Sequence, residues 1–302
     1  MKTLSKSICC IIFLFLFFST AHADEFYGFL KSGDTYTSLN NPGAIYTLAF
    51  GINDAGNVVG YYCESSYSNC NGFLKTGDTY TSLDLPGSFG TAYDINDAGT
   101  IVGSYSDSGI GYGFLKTGDT LTSFDYPGDH NTSALGINDV GTVVGSYGKS
   151  GFEHGFLKNG DTYTSFDYPG AVWTLAYGIN DTGTVVGYYY DGHYTHGFLK
   201  TGDTYTSFDY PGEHNTYAYD INDAGMVVGG SGSGANTFGF LMSGDTYNKI
   251  IYPGTNIRYT TARGINDAGA VVGSYFDVAE PTTMLLLGLG LMGLAGVRRR
   301  LS

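Results

Sequence analysis

Positive charge is scarce in this 302-residue chain, in which 14 lysines and arginines stand against 28 acidic residues. Five of the 14 (Lys2, Lys6 and Arg298 to Arg300) lie at the two ends, so residues 24–277 carry nine basic and 27 acidic side chains, a net charge near −18. Such a body suits neither nucleic acid nor an anionic membrane surface as a partner. Cysteine is equally rare. Of four, Cys9 and Cys10 fall in an apolar leader, which leaves Cys63 and Cys70. Two thiols without a neighbouring histidine do not make a metal site. In an oxidising compartment they are expected to pair and to stabilise their short loop by roughly 2 to 3 kcal/mol. The body has no helical periodicity, and no unrepeated carboxylate pair or histidine cluster stands out, so no catalytic, cofactor-binding or metal-ligating residue is assigned. An Asp-x-Asp-x-Asp-Gly calcium loop is missing too. Asp94-x-Asn96-Asp97-x-Gly99 imitates it in part, so calcium is the one cofactor left to test.

What fills the chain instead is repetition. Six copies of a unit of roughly 42 residues run from Asp24 to Asp277, with GFL glycines at Gly28, Gly72, Gly113, Gly155, Gly197 and Gly239. Each copy holds GFL, a Gly-Asp turn, a Thr-Ser-Phe/Leu segment, a Pro-Gly stop, an Ile-Asn-Asp-x-Gly turn and a Val-Val-Gly segment, with small departures between copies. The apolar segments are short, rich in β-branched and aromatic residues, and punctuated by tight-turn signals, which predicts four strands per unit. Four antiparallel strands taken six times predict an all-β, six-bladed β-propeller. Alanine precedes each Ile-Asn-Asp by three residues (Ala49, Ala92, Ala134, Ala176, Ala218, Ala262), and Gly or Asp precedes it directly. This small-residue strand is expected innermost, Val-Val-Gly second, GFL third and the proline-terminated strand outermost, where a missing ladder donor is tolerated. The chain starts on a third strand and ends on a second, so the closing blade is expected to combine strands from both termini.

Turn geometry divides the surfaces. The Asn-Asp-x-Gly and Gly-Asp turns share one rim, where each Asp is expected to hydrogen-bond its own backbone. Length variation collects on the opposite rim, with aromatic and histidine side chains that include Trp173, Tyr188, Tyr190, His193, Tyr194, His214 and His130. Variable loops on a rigid scaffold carry binding, so this face is the expected docking site for a polysaccharide or matrix protein through aromatic stacking. The competing expectation is a propeller enzyme acting on polysaccharide, a glycosidase or lyase, which needs paired carboxylates or a metal at the axis.

The ends read as addresses. Lys2 and Lys6, the apolar run Ile8 to Phe18 and the small-x-small Ala21-His22-Ala23 form a signal peptide over residues 1–23, with Asp24 the expected mature start. At residues 278–302, Ala279-Glu280-Pro281 precedes fourteen apolar or glycine residues, Met284 to Val297, and then Arg298, Arg299 and Arg300. Fourteen helical residues span roughly 21 Å, short of the roughly 30 Å hydrocarbon core, so a transmembrane helix here would be a transient anchor. The arrangement of Glu280-Pro281, apolar span and basic cluster resembles the PEP-CTERM sorting signal, although the first proline of that motif is Ala279 here. The resemblance implies an exosortase-type peptidase as partner, a Gram-negative source, and a cell-surface or extracellular location, with exopolysaccharide matrix and biofilm as the setting. Gly155-Phe156-Leu157, Pro169-Gly170, Gly178-Ile179-Asn180 and Val185-Val186-Gly187 resemble the HAF family of bacterial extracellular repeats. That family implies surface location rather than activity. Its His-Gly-Phe is met by His154 and His196 alone, which argues against a catalytic histidine.

Overall fold

Threonine, tyrosine and valine dominate the segments between turns, and these side chains favour a pleated, half-buried backbone. In the computed structural model, which describes residues 25–64, 70–87, 89–129, 131–149 and 152–278, they form strands almost throughout. The chain opens with β1 (Glu25–Ser32) and β2 (Thr35–Leu39). Then come β3 (Tyr46–Ile52), β4 (Val58–Cys63), β5 (Cys70–Thr76) and β6 (Thr79–Ser82), followed by β7 (Phe89–Ile95), β8 (Thr100–Asp107), β9 (Ile110–Thr117) and β10 (Thr120–Phe124). The next runs are β11 (Thr132–Ile137), β12 (Val143–Lys149), β13 (Phe152–Asn159) and β14 (Thr162–Phe166), then β15 (Trp173–Ile179), β16 (Val185–Tyr190), β17 (Thr195–Thr201) and β18 (Thr204–Phe208). Last come β19 (Thr216–Ile221), β20 (Val227–Ser231), β21 (Phe238–Ser243) and β22 (Thr246–Ile250), with β23 (Ile257–Ile265) and β24 (Val271–Asp277) at the end. The sole helical element among the described residues is the 3-10 turn Gly234–Asn236.

Consecutive strands pair antiparallel into four-stranded sheets, and one parallel bridge, Cys70 to Phe89, ties the sheet β3 to β6 to the sheet β7 to β10. One sheet has the order β2-β1-β24-β23, joining the first described strands to the last. The proline-terminated strands, such as β14 and β18, lie at sheet edges. The third-to-fourth strand connections are two-residue Gly-Asp loops. Gly33 and its counterparts sit at φ 55 to 57, the positive value that the first position of a type II′ hairpin requires.

The core lies between neighbouring sheets. Phe29, Phe73, Phe114, Phe156, Phe198 and Phe240 of the GFL sequences have no exposed surface. Around each gather valines of a second strand and an alanine of a first strand, as Ala176 packs with Phe198, Val185 and Val144. The segments between sheets are also pinned. Tyr168, just before Pro169, stacks on Tyr189 of the following sheet at 3.7 Å and 4°, and its backbone N–H donates to Thr174 Oγ1 at 3.0 Å. Tyr126 on Tyr147 and Tyr252 on Tyr275 repeat the stack. Cys63 and Cys70 are ladder partners across β4 and β5 and are joined by a disulfide, with Cα atoms 4.2 Å apart.

The first strands differ from a simple alternation. In each, the register slips by one residue between the alanine and the following Gly or Asp, which leaves Phe50, Tyr93, Leu135, Tyr177, Tyr219 and Arg263 as bulged residues. A bulge re-aims its side chain. Small residues were expected to face the axis. Instead these larger side chains line an axial cavity together with Asp94 and Asp220, while the alanines turn into the inter-sheet cores. The glycines serve close approach between neighbouring strands, since a Cβ on Gly51 would lie 2.7 Å from Asp94 Cα.

Candidate binding site on the axis and the loop face

The repeated Ile-Asn-Asp sequences converge on the turn rim. Each buried asparagine uses Oδ1 to close its own turn, as Asn180 accepts from Thr184 N–H at 3.0 Å. Its Nδ2 donates to the asparagine carbonyl of the next sheet. The series runs Asn53, Asn96, Asn138, Asn180, Asn222 and Asn266, and Asn266 donates back to Asn53 at 3.1 Å. A second series lies above it. The backbone N–H of Asp54, Asp97, Asp139, Asp181, Asp223 and Asp267 each donates to Oδ1 of the following aspartate, and Asp267 donates to Asp54. These aspartates were expected to bond their own backbones; their carboxylates bond the neighbouring repeat instead, because convergence of the turns brings the preceding turn's N–H within reach. Asp139 and Asp267 are raised above the ordinary carboxylate range, by burial first and by adjacent aspartates as well.

In the calcium-like run of Asp94, Asn96 and Asp97, each side chain has at least one oxygen engaged by a backbone N–H. Asp94 accepts from Ile95 and Ile137 N–H at 2.8 and 2.9 Å, Asn96 Oδ1 from Thr100 N–H, and Asp97 Oδ1 from Asp54 N–H. Among the described residues no group of three acidic, histidine or cysteine side chains is arranged to hold a metal.

Below the rings, Asp94 and Asp220 share a cavity of about 20 Å3 with the bulged side chains. Asp220 accepts from Ile221 and Ile265 N–H, both at 2.8 Å. Burial pushes Asp94 up to about 7 and Asp220 well above its ordinary range, the charge of Asp94 adding to the effect on Asp220. Arg263 enters from β23, with its guanidinium 4.0 Å from the Tyr219 ring centroid and 5.3 Å from that of Phe50. Its Nε is buried without a hydrogen-bond partner among the described residues.

The loop-face residues fall into two groups. Trp173 and Tyr190 are opposite one another across β15 and β16 and stack at 5.4 Å and 19°. Tyr188 meets Trp173 edge-on at 5.8 Å and Tyr217 at 5.1 Å, and its hydroxyl donates to that of Tyr177 at 3.3 Å. Separately, Tyr194 stacks on His214 at 4.7 Å and 13°. His193 is exposed in a turn built on Asp191, whose carboxylate accepts the N–H groups of Tyr194 and His193 and is held down to about 2 by them. His154 and His196 each place Nδ1 against the aspartate of the adjacent edge segment, Asp167 and Asp209, at 2.9 Å. His130 lies outside the described residues, as do Ala21, Ala23, Asp24, Glu280, Pro281 and Arg298 to Arg300. So does the apolar span Met284 to Val297. No helix among the described residues is long and apolar enough to cross a membrane.

Sequence reasoning overlooked Arg263, and it placed Asp94 and Asp220 only as variants of a small position. The signal was the departure from the repeat. Arginine stands where the other copies have Phe, Tyr or Leu, and aspartate stands where four copies have glycine.

Residues 277–300 match the family model of the PEP-CTERM protein-sorting motif. A search of curated proteins found no match. Among solved structures, the protein described as TolB from Agrobacterium tumefaciens is similar in fold at 9% identity and a TM-score of 0.64, over 84% of this chain and 99% of that one. TolB from Acinetobacter baumannii gives 11% identity and a TM-score of 0.55 over 76% of this chain and 64% of its own. The β-propeller domain of the Trilobed protease from Pyrococcus furiosus gives 10% and 0.50, over 82% and 78%. The chain is thus all-β with propeller-like neighbours and carries a C-terminal sorting motif.

Proposed function

We propose that this is an exported, non-enzymatic repeat protein of the cell surface or exopolysaccharide matrix, released to its site by an exosortase-type peptidase and binding a glycan or matrix partner through its loop face. The scaffold is read as a closed six-bladed propeller, the first blade-forming sheet being the one shared by both termini. Support for closure comes from the two cyclic hydrogen-bond series at the turn rim, each returning to its starting repeat. Support for export comes from the sorting motif, and for its class from the HAF-like repeats.

The observation that carries the binding reading is the Trp173, Tyr188 and Tyr190 cluster, an aromatic surface on rigid strands beside variable loops. On a glycan array, wild-type protein is expected to bind at least one glycan and Trp173→Ala to lose about tenfold in affinity, a loss in the range of one aromatic contact. Binding indifferent to that substitution would remove the loop face from the account. Terminal sequencing in cells with and without the sorting peptidase tests the processing step, and intact Arg298 to Arg300 on released protein would contradict it.

A second reading, a glycosidase or lyase, is favoured by the axial carboxyl pair Asp94 and Asp220. It stands second because their shared cavity of about 20 Å3 holds about one water and no sugar ring. Hydrolysis or eliminative cleavage of a polysaccharide by the purified protein would reverse the order.

A further inference from the structure

Repeat proteins announce specialised positions by breaking their own pattern. At the bulge of the first strand, five repeats supply Phe50, Tyr93, Leu135, Tyr177 and Tyr219, and the sixth supplies Arg263. Its guanidinium lies against the rings of Tyr219 and Phe50, makes no ion pair among the described residues, and leaves a buried Nε donor unused there. A guanidinium is a planar fork of donors with no acceptor, matched to the two oxygens of a carboxylate. The carboxyl groups that line the same cavity, Asp94 and Asp220, spend both oxygens on backbone N–H groups, and burial raises Asp220 well above the ordinary carboxylate range.

Other cations point to the same place. Five of the nine basic residues in the body belong to the repeated GFL-Lys sequence. Of the other four, Lys249 and Arg258 line a groove of about 420 Å3 next to Tyr259, and Tyr259 in turn interacts electrostatically with Arg263. In a body of strongly negative charge, three of the four basic residues outside the repeat pattern, Lys249, Arg258 and Arg263, lie on β22 and β23, and the fourth, Lys149, ends β12.

We propose that the axial cavity takes the carboxylate of a uronic-acid residue in an acidic polysaccharide, with Arg263 as its partner and the polymer continuing over the groove at Lys249 and Arg258. Size sets the choice. A cavity that holds about one water excludes a sugar ring and a tetrahedral phosphate, so only an oxygen at the tip of a ring substituent, as a carboxylate supplies, reaches toward Arg263 there. The ring would stay outside on the loop side, where the half-buried Tyr188 and Tyr217 offer aromatic faces. This inference names the ligand class for the glycan-binding reading above and rests on it.

The test is equilibrium binding of the mature protein to an oligogalacturonate and to the same oligosaccharide after its carboxyl groups are reduced to neutral alcohols, with free galacturonic acid as a third probe. The acidic oligosaccharide is expected to bind about tenfold or more tightly than the reduced one, and the monomer weakly, since it lacks the groove contacts. Arg263→Leu, which installs the residue Leu135 supplies at the equivalent position, is expected to abolish that preference; Trp173→Ala should weaken both oligosaccharides. Equal binding of the acidic and reduced forms, or a preference unchanged in Arg263→Leu, overturns the inference. Tight binding of the monomer alone would overturn the polymer groove and leave only a small-acid site. If neither oligosaccharide binds while other neutral glycans do, this inference fails and the loop-face reading survives; if no glycan binds, both fail. Should Arg263→Leu not fold, the comparison of acidic and reduced ligands on the wild-type protein still decides.

Discussion

Two aspartates decide how this fold responds to pH. Asp94 and Asp220 stand where four other repeats have glycine, and burial raises both above the ordinary carboxylate range, Asp94 to about 7. A carboxyl whose folded pKa exceeds its unfolded value binds more protons in the native state between the two values. Stability then falls as pH rises through that window, from about 4 toward 7 for Asp94 and in the same direction for Asp220. Thermal melting should therefore show a lower Tm at pH 8 than at pH 5. The double substitution Asp94→Gly with Asp220→Gly, which restores the residue of the other repeats, should flatten that slope without erasing it, since Asp139 and Asp267 are shifted the same way. An identical slope in both proteins would mean that the pair titrates normally. This behaviour was not legible in the sequence. Composition shows Asp94 and Asp220 as 126 residues apart and embedded in a repeated motif; only convergence on one axis makes them neighbours.

Strand order along the repeat was legible. Valine-rich, GFL and proline-terminated segments sort themselves by burial and by tolerance of a missing ladder donor, and the sheets follow that order. The bulge in every first strand was not. Period-2 alternation puts Ala176 and Gly178 on one face, whereas the slipped register puts Tyr177 at the axis. Its trace in the sequence is the glycine of Val-Val-Gly. A Cβ on Gly187 would lie 2.0 Å from the Leu175 carbonyl oxygen, and the five equivalent glycines face the same obstruction at 1.9 to 2.1 Å. The second strand thus carries glycine because the bulged first strand pushes a carbonyl into it. Gly187→Ala should cost about 3 kcal/mol, at the upper end of overpacking penalties, because rigid backbone rather than a flexible side chain must yield. Alanine at Gly170, a turn glycine at φ 82 with nothing within 4 Å of the added Cβ, is the control and should cost about 1 kcal/mol from backbone conformation alone. Urea denaturation distinguishes them, and equal costs would remove the bulge explanation.

At the scale of the molecule, what matters is how the first strands of the chain meet the last. β1 pairs with β24 over seven residues, from Glu25 opposite Asp277 to Lys31 opposite Val271. Phe29 is fully buried and packs with Val271, Ile265 and Tyr275 from the C-terminal strands. Leu39 at the end of β2 sits in the core of the next sheet with Ala49 and Phe73. Phe26 adds ring contacts to Phe276 at 4.6 Å and to Tyr46 at 6.3 Å. The N-terminal segment therefore contributes to two adjacent cores, and its loss also strips β24 of its ladder partner, leaving an exposed edge. Deleting residues 24–42 should abolish cooperative unfolding of the whole body rather than loosen one sheet, because the Asn and Asp series require every first strand in place to return to Asn53 and Asp54. Adding the excised segment back as a peptide should restore a single thermal transition, since the missing strands are supplied without their covalent link. A truncated protein that melts at the wild-type temperature would mean that the two ends are not what holds the sheets together, and the closed arrangement would have to be abandoned.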